Sequence, residues 1–385
     1  MFPTILARAF ALAALAFIAC ESSRTPERIE QQRDSGSTTS RTSNATNLTV
    51  IARMSVARAA HTATLLNDGR VLIAGGCTID GCEEGDGSDG LEIYDPATSR
   101  FSDAGRMTMR RSGHTATLLA DGRVLIVGGW SGASPTRVCE LFNPAVKASM
   151  RAGELLAARG GHTATMLNDG RVLIVGGTDG TAMTSTVEIF DPSTNRFDSA
   201  ASMTAGRSAH TATLLNDGRV LVTGGSVARD VVVASCEVFD VQTGWMLVPP
   251  MSARRHKHAA VSMTDGRVLV AGGSDERDVH GRHSSAEVFD PQRNSFAETL
   301  SLVDARFKFA DAIVRRADGT VVLAGGSRII ETFDSASHRF TAARDSFAIA
   351  RMFSTATALP GGGVLIVGGY DTRINPTADG FLFKD

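Results

Sequence analysis

Tyrosine and tryptophan are nearly absent from this chain, with two of each against 18 phenylalanines. Chemistry that needs several tyrosyl ligands is thereby excluded, as are extended tryptophan platforms for sugars. An excess of either charge is also missing. Lys and Arg number 39 and Asp and Glu 41, a formal net charge of −2. A nucleic-acid binder needs a surplus of phosphate-neutralising cations, so that class is set aside. Long apolar runs are confined to the first twenty residues. Elsewhere every apolar stretch is cut short by a charge, a glycine pair or a turn signal, and none approaches the roughly 20 residues of a membrane-spanning helix. What the chain does have is length and glycine: 385 residues, 43% of them apolar, with 39 glycines in a regular rhythm. That is enough for a sizeable core.

Residues 1–19 read as an export signal. Arg8 supplies the charged start and residues 9–19 (AFALAALAFIA) the apolar stretch. The phrase Phe17-Ile18-Ala19-Cys20 that follows resembles a bacterial lipobox, with Phe17 in place of the usual Leu. The resemblance implies that Cys20 carries the lipid, as the only attachment to a membrane. An outer-membrane or cell-surface lipoprotein is expected, the alternative being a periplasmic or secreted protein cut by an ordinary signal peptidase. Residues 20–47 are polar beyond that cysteine and read as a flexible tether.

Glycine pairs fall at 75–76, 128–129, 176–177, 224–225, 272–273, 325–326 and 368–369, at spacings of 53, 48, 48, 48, 53 and 43 residues. Each closes a phrase such as RSGHTATLLADGRVLIVGG (111–129) or RGGHTATMLNDGRVLIVGG (159–177). HTATLL reads as a strand, Asp-Gly as a two-residue hairpin turn, and RVLIVGG as a second strand buried on both faces. A variable loop follows. Then comes a third strand (LEIYDP, CELFNP, VEIFDP, CEVFDV, AEVFDP) and a fourth carrying Phe101, Phe197, Trp245, Phe296 or Phe340, with Met150 near that position in the second repeat. Four strands in about 48 residues make a propeller blade.

With paired glycines after an apolar strand, then Glu-x-aromatic, then a spaced aromatic, the chain resembles the kelch-repeat family over residues 48–385. The expected fold is all-β, a seven-bladed β-propeller of four-stranded antiparallel blades. Residues 48–54 match a fourth strand that has no blade before it, while blade 7 ends at FLFKD without one. The N-terminal strand should therefore complete the last blade and close the ring.

The turns between strands 1 and 2 are nearly identical, whereas the 2–3 loops differ in length and chemistry. Together with the 4–1 loops they should form the recognition face, which kelch-like binders similarly use. Arg58, Arg111, Arg159, Arg207 and Arg255, with Glu92, Glu140, Glu188, Glu237 and Glu287, recur once per blade and read as framework. His61, His114, His162, His210 and His258 open each inner strand, with Asp311 and Ser354 taking that place in blades 6 and 7. A ring of imidazoles suggests a metal or anion site; a framework histidine bonded within its own blade is the simpler reading. His256, His280 and His283 add a weak metal pattern in blade 5, and the acidic blade 1 loop after Cys77 a weak calcium one.

Cys77 and Cys82 share one loop and are expected to form a disulfide; Cys139 and Cys236 should be buried thiols. Galactose-oxidase-like members of this fold hold copper with two Tyr and two His. Tyr94 sits in the framework aromatic slot, leaving Tyr370 alone, so that site cannot be assembled. Sialidase-type Asp boxes, nucleophile elbows and phosphate loops are likewise missing. The expectation is a monomeric, non-enzymatic propeller with no cofactor, binding a protein or carbohydrate partner; the alternatives are an oxidase- or hydrolase-like enzyme with an unrecognised active site at the channel mouth, or a structural cell-envelope protein. Its site should span blades 7, 1 and 2 around Trp130 and Tyr370, each directly after a glycine pair, with Arg137 and Arg373 in the same loops.

Overall fold

The structure is a computed structural model. It describes residues 47–79, 82 and 87–384. The export signal, Cys20, most of the tether and much of the acidic blade 1 loop lie outside the described residues.

Seven four-stranded antiparallel sheets form the blades of a β-propeller. Blade 1 shows the pattern: Thr62–Leu65, Val71–Ala74, Ser88–Asp95 and Arg100–Arg111, hydrogen-bonded in that order from the channel outward. The second strand of each blade is buried on both faces, as in Val124–Val127 and Val172–Val175. Its alternate side chains fill the cores on either side. Leu72 and Ala74 pack towards blade 2, Val71 and Ile73 towards blade 7. Ring closure is as the sequence indicates. Leu48–Val50 pairs antiparallel with Gly380–Phe383, Leu48 opposite Phe383, so the first strand of the chain becomes the outer strand of blade 7.

Three details differ from the sequence reading. The 1–2 turn has three loop residues, not two. Leu66 N–H bonds to the Arg70 carbonyl at 2.8 Å, and only Gly69 takes positive φ (+84°), a type I turn closed by a glycine bulge. Asp68 instead fixes Arg70, accepting from its backbone N–H at 3.0 Å and its Nε at 2.8 Å. In blade 2, Ser149 rather than Met150 stands opposite Phe142, and Met150 points to solvent at 63% exposure. Blades 1, 3, 4, 5 and 6 stack two rings there, as Tyr94 on Phe101 at 5.0 Å. In blade 6, the histidine position is filled by Phe309, three residues after Arg306, and not by Asp311.

Each glycine pair is a joint between blades. The N–H of its second glycine donates to the carbonyl of the next blade's repeated arginine, at 2.7–3.0 Å, at all seven interfaces. In five of the seven pairs the first glycine sits where that arginine carbonyl and the next histidine ring meet. A Cβ on Gly176 (φ +63°) would lie 2.6 Å from the Arg207 oxygen and 2.9 Å from the His210 ring. Only glycine fits there.

The repeated arginines are fully buried and clip their own blade. Arg111 donates through Nη1 to the carbonyls of Gly128 (2.9 Å) and Val138 (2.8 Å) and through Nη2 to Glu140 (2.6 Å). The second oxygen of Glu140 accepts from Thr108 N–H at 2.6 Å, on the segment entering the blade. The structure adds Arg306 with Glu331 and Arg351 with Asp379 (2.6 Å), so every blade has its clip.

The histidines bind across blades, which corrects the reading of a bond within the blade. His114 Nε2 meets Thr62 Oγ1 of blade 1 at 3.2 Å, His162 meets Thr115 at 3.1 Å, and His210 meets Thr163 at 3.1 Å. His258 meets Thr223 at 2.9 Å, and His61 closes the circle on Thr355 at 3.1 Å. Burial, then the neighbouring arginine, holds His61, His162 and His210 down at about 3 and His114 and His258 well below the usual imidazole range.

Closure predicts that deleting residues 48–54 exposes a sheet edge on Phe381–Phe383 and causes aggregation or a large fall in melting temperature, while deleting 21–46 leaves that temperature unchanged. Equal melting temperatures for the two truncations would refute the closure. The histidine staples predict acid sensitivity. Because the folded pKa lies below the unfolded value of about 6.5, unfolding takes up protons between pH 6.5 and 3, and stability falls as pH falls through that window. His162→Phe copies blade 6 and should flatten the dependence by one proton, about 1.4 kcal/mol per pH unit. Unfolding free energies measured across that range check this; an unchanged slope would disprove the assignment.

Candidate functional site

The residue just before each staple position forms a belt around one end of the channel. In order these are Ala60, Gly113, Gly161, Ala209, Lys257, Lys308 and Phe353, with φ of 49°, 56°, 64°, 53°, 51°, 56° and 54°. All seven are left-handed, a conformation that costs a non-glycine residue roughly 1–2 kcal/mol. Backbone bonds run along the belt. Ala60 N–H donates to Phe353 O (3.1 Å), Gly113 to Ala60 (2.9 Å), Ala209 to Gly161 (3.0 Å), Lys257 to Ala209 (3.0 Å), Lys308 to Lys257 (2.9 Å) and Phe353 to Lys308 (2.7 Å). The belt belongs to the 4–1 connections, on the face that also carries the varied 2–3 loops. It rims a cavity of about 620 Å³ that continues down the channel past the first strands.

Blades 1–4 put only glycine or alanine on the belt, and blades 5–7 put two lysines and a phenylalanine. Lys257 Nζ is 3.1 Å from Asp278 Oδ1 and Lys308 Nζ 3.2 Å from Oδ2 of the same carboxylate. Asp278 opens a short 3-10 turn, Asp278–Gly281, in the blade 5 loop, and its own φ is +51°. Lys308 is 4% exposed, and its ammonium lies 4.7 Å from the centre of the Phe307 ring and 6.0 Å from that of Phe353. Burial, with Lys257 second, lowers Lys308 to about 8. His256 adjoins the pair. Its Nδ1 meets Ser226 Oγ at 2.8 Å, its Nε2 is buried without a hydrogen-bond partner, and burial holds it neutral at about 3. Also on the channel wall, Asp311 is solvent-accessible but enclosed by the ring, and desolvation raises it to about 6.

The residues expected to form a site across blades 7, 1 and 2 are not brought to one cavity. Tyr370 is fully buried. Its backbone pairs with Met352, and its ring packs on Phe353 and Cys77. Trp130 lines the cavity but is 6% exposed, its indole lying over Gly160 of blade 3, where a Cβ would be 2.3 Å away. Arg137 is tied to the Leu155 carbonyl at 2.9 Å and to Glu154 at 3.5 Å, and Arg373 is exposed on the blade 7 loop. The rings after a glycine pair thus turn inward beneath the loops rather than outward as anchors. Cys77 and Cys82 are joined as a disulfide with Cα atoms 5.2 Å apart. Cys139 and Cys236 are buried free thiols, pushed up to about 12 by burial.

The sequence reading missed Lys257, Asp278 and Lys308. The series A, G, G, A, K, K, F, read two residues after each buried arginine, appears only once Arg306 and Arg351 are recognised as members of that set.

A family profile described as the KLHDC2/KLHL20/DRC7 Kelch-repeats domain matches residues 27–225, just over half of the chain, and a Kelch motif matches residues 255–298. No curated protein matches the chain significantly. Among solved structures, a copper complex of a fungal alcohol oxidase of the AA5 family superposes with a TM-score of 0.70 at 16% identity, covering 89% of this chain and 76% of that one. The structure of YjhT superposes at 0.57 with 13% identity, covering 86% and 96%. At such identities the likeness is one of fold. The residues present here do not suit a copper held by two Tyr and two His. Tyr94 packs on Phe101 and Tyr370 on Phe353, and the channel histidines are committed to threonines of the preceding blade. By its profile match, its seven glycine-paired blades and their arginine clips, the chain belongs to the kelch-repeat family.

Proposed function

We propose that this chain is a non-catalytic binding propeller that holds a protein or glycan partner on the face built from its 2–3 and 4–1 loops, centred on the channel mouth. The observation that carries this reading is the belt. Seven equivalent positions share one backbone conformation, and four are trimmed to glycine or alanine while three consecutive blades carry large side chains. A framework need alone would favour glycine at all seven. The result is an open rim on one side and a chemically distinct sector on the other, around a cavity of ligand size.

An enzyme in the channel is the competing reading, and Asp311, raised to about 6 on the channel wall, is the observation in its favour. Against it, burial lowers the five channel histidines so far that they are weak proton acceptors, each is bonded to threonine, and among the described side chains no hydrogen bond or ion pair positions the Asp311 carboxyl.

Ala209 already has positive φ, so Ala209→Arg adds bulk at the mouth with little further backbone strain. Thr194→Arg lies in the exposed 3–4 turn of blade 3 and serves as the control. In crosslinking capture from a cell-envelope extract, Ala209→Arg should lose the partner held by the unmodified chain at least tenfold, and Thr194→Arg should keep it. Capture equal in both variants would refute a site at the mouth.

The export reading belongs to the same proposal: lipid on Cys20 would present the propeller at a membrane surface. Cys20→Ala should then move the protein from the salt-washed membrane fraction to the soluble one, since one lipidated residue is the sole large apolar attachment. Retention of the variant in washed membranes would exclude the anchor.

A further inference from the structure

The cluster on blades 5 and 6 holds an imbalance of charge. Two ammonium groups, Lys257 and Lys308, share the single carboxylate of Asp278 at 3.1 and 3.2 Å. The side chains are 14%, 4% and 8% exposed, so the surplus positive charge sits at the mouth with little water to solvate it. The other charges at the mouth do not offset it. Glu276 is paired with Arg254 at 2.6 Å, and Asp230 with Arg229 at 3.8 Å. Asp311 lines the same cavity, and among the described residues no ion pair joins it to either lysine. Beside the pair, His256 is 9% exposed, and its Nε2 is left without a hydrogen-bond partner.

Backbone cost points the same way. At the belt position glycine is the unstrained choice, and blades 2 and 3 use it. Blades 5 and 6 hold lysine there at φ of 51° and 56°, and Asp278 is itself left-handed at 51°. Three strained residues converge on one another at a cavity wall. Their side chains, and not their backbone, are what the position retains. Elsewhere on the wall, blades 2–4 present the apolar side chains of Trp130, Met183 and Val232, with Arg229 and Asp230 beside them on blade 4.

We propose that the channel mouth binds a ligand through one carboxylate, which enters beside Lys257 and Lys308 and completes a square of two cations and two anions, with the apolar body of the ligand against blades 2–4. This rests on the reading of the mouth as a binding site and names the chemistry it selects. One carboxylate matches the surplus of one charge; the mixed wall excludes a fully hydrated inorganic ion as the best fit.

The probes are 2-naphthoate and its neutral counterpart 2-naphthamide, titrated into the full chain by calorimetry. At pH 7 the acid should bind at least tenfold more tightly than the amide. Lys308 loses its proton as pH rises through about 8, which takes the surplus from +1 to zero. Lys257, Asp278 and His256 are the titratable groups packed against it, and His256 stays neutral throughout. The preference for the acid should therefore shrink between pH 7 and 9.5. Lys257→Met and Lys308→Met should each abolish it, and the pH profile of the unmodified chain stands as an independent measurement should either variant fail to fold. Equal affinities at pH 7, a preference unchanged to pH 9.5, or no binding of either probe would overturn the carboxylate assignment. Loss of partner capture in Ala209→Arg alongside any of these would leave the binding face standing and remove only its chemistry.

Discussion

One backbone hydrogen bond per interface, from the second glycine of each pair to the buried arginine's carbonyl in the next blade, sets the geometry of the ring. It requires the two backbones to approach so closely that no side chain fits at the first glycine. It also fixes the arginine's main chain, and the guanidinium is then placed to clip the second and third strands of its own blade. The same approach brings the staple histidine over the preceding blade's threonine. Three interactions of different chemistry therefore depend on one contact. Removing a single buried member, such as Glu140, would strand Arg111 as an uncompensated charge, a loss on the order of 3–5 kcal/mol.

The belt is a by-product of that joint. Once glycine pair and arginine are locked, the chain has three residues in which to turn from the joint into the inner strand. A left-handed residue at the middle of them makes the turn. The side chain there projects over the mouth, while the backbone bonds to the equivalent residue of the neighbouring blade. Its identity is therefore free of the framework, which accepts Gly113, Ala209, Lys257 and Phe353 alike. Function can be written on this circle without disturbing packing.

What was legible in the sequence follows from that division. The joint demands glycine, arginine and an apolar second strand in every blade, so repetition exposed blade number, strand order and closure. Blade 6 misled because two extra residues separate Arg306 from its Asp-Gly turn, and Asp311 stood where a count back from the turn expects the histidine; Phe309 fills that space with no polar signal. Tyr370 and Trp130 looked like surface anchors because they begin variable loops. The first residue after the joint still pairs with the adjoining segment, as Tyr370 does with Met352, and that turns its ring into the core. Lys257 and Lys308 were passed over because positive φ at Ala, Lys or Phe has no signature in composition.

Electrostatics explains why the distinct sector falls on adjacent blades rather than being scattered. A lone lysine on the belt would be desolvated beside a channel lined with neutral histidines and small apolar residues, at a cost that would shift it to neutral. Two on neighbouring blades can be bridged by one carboxylate only if the intervening loop delivers it, and the blade 5 loop does so with a left-handed Asp278. A second carboxylate from the protein would have neutralised the cluster and left a structural salt-bridge network. Its absence among the described side chains around Lys257 and Lys308 keeps the pair one anion short, and makes the site selective for a group that arrives from outside.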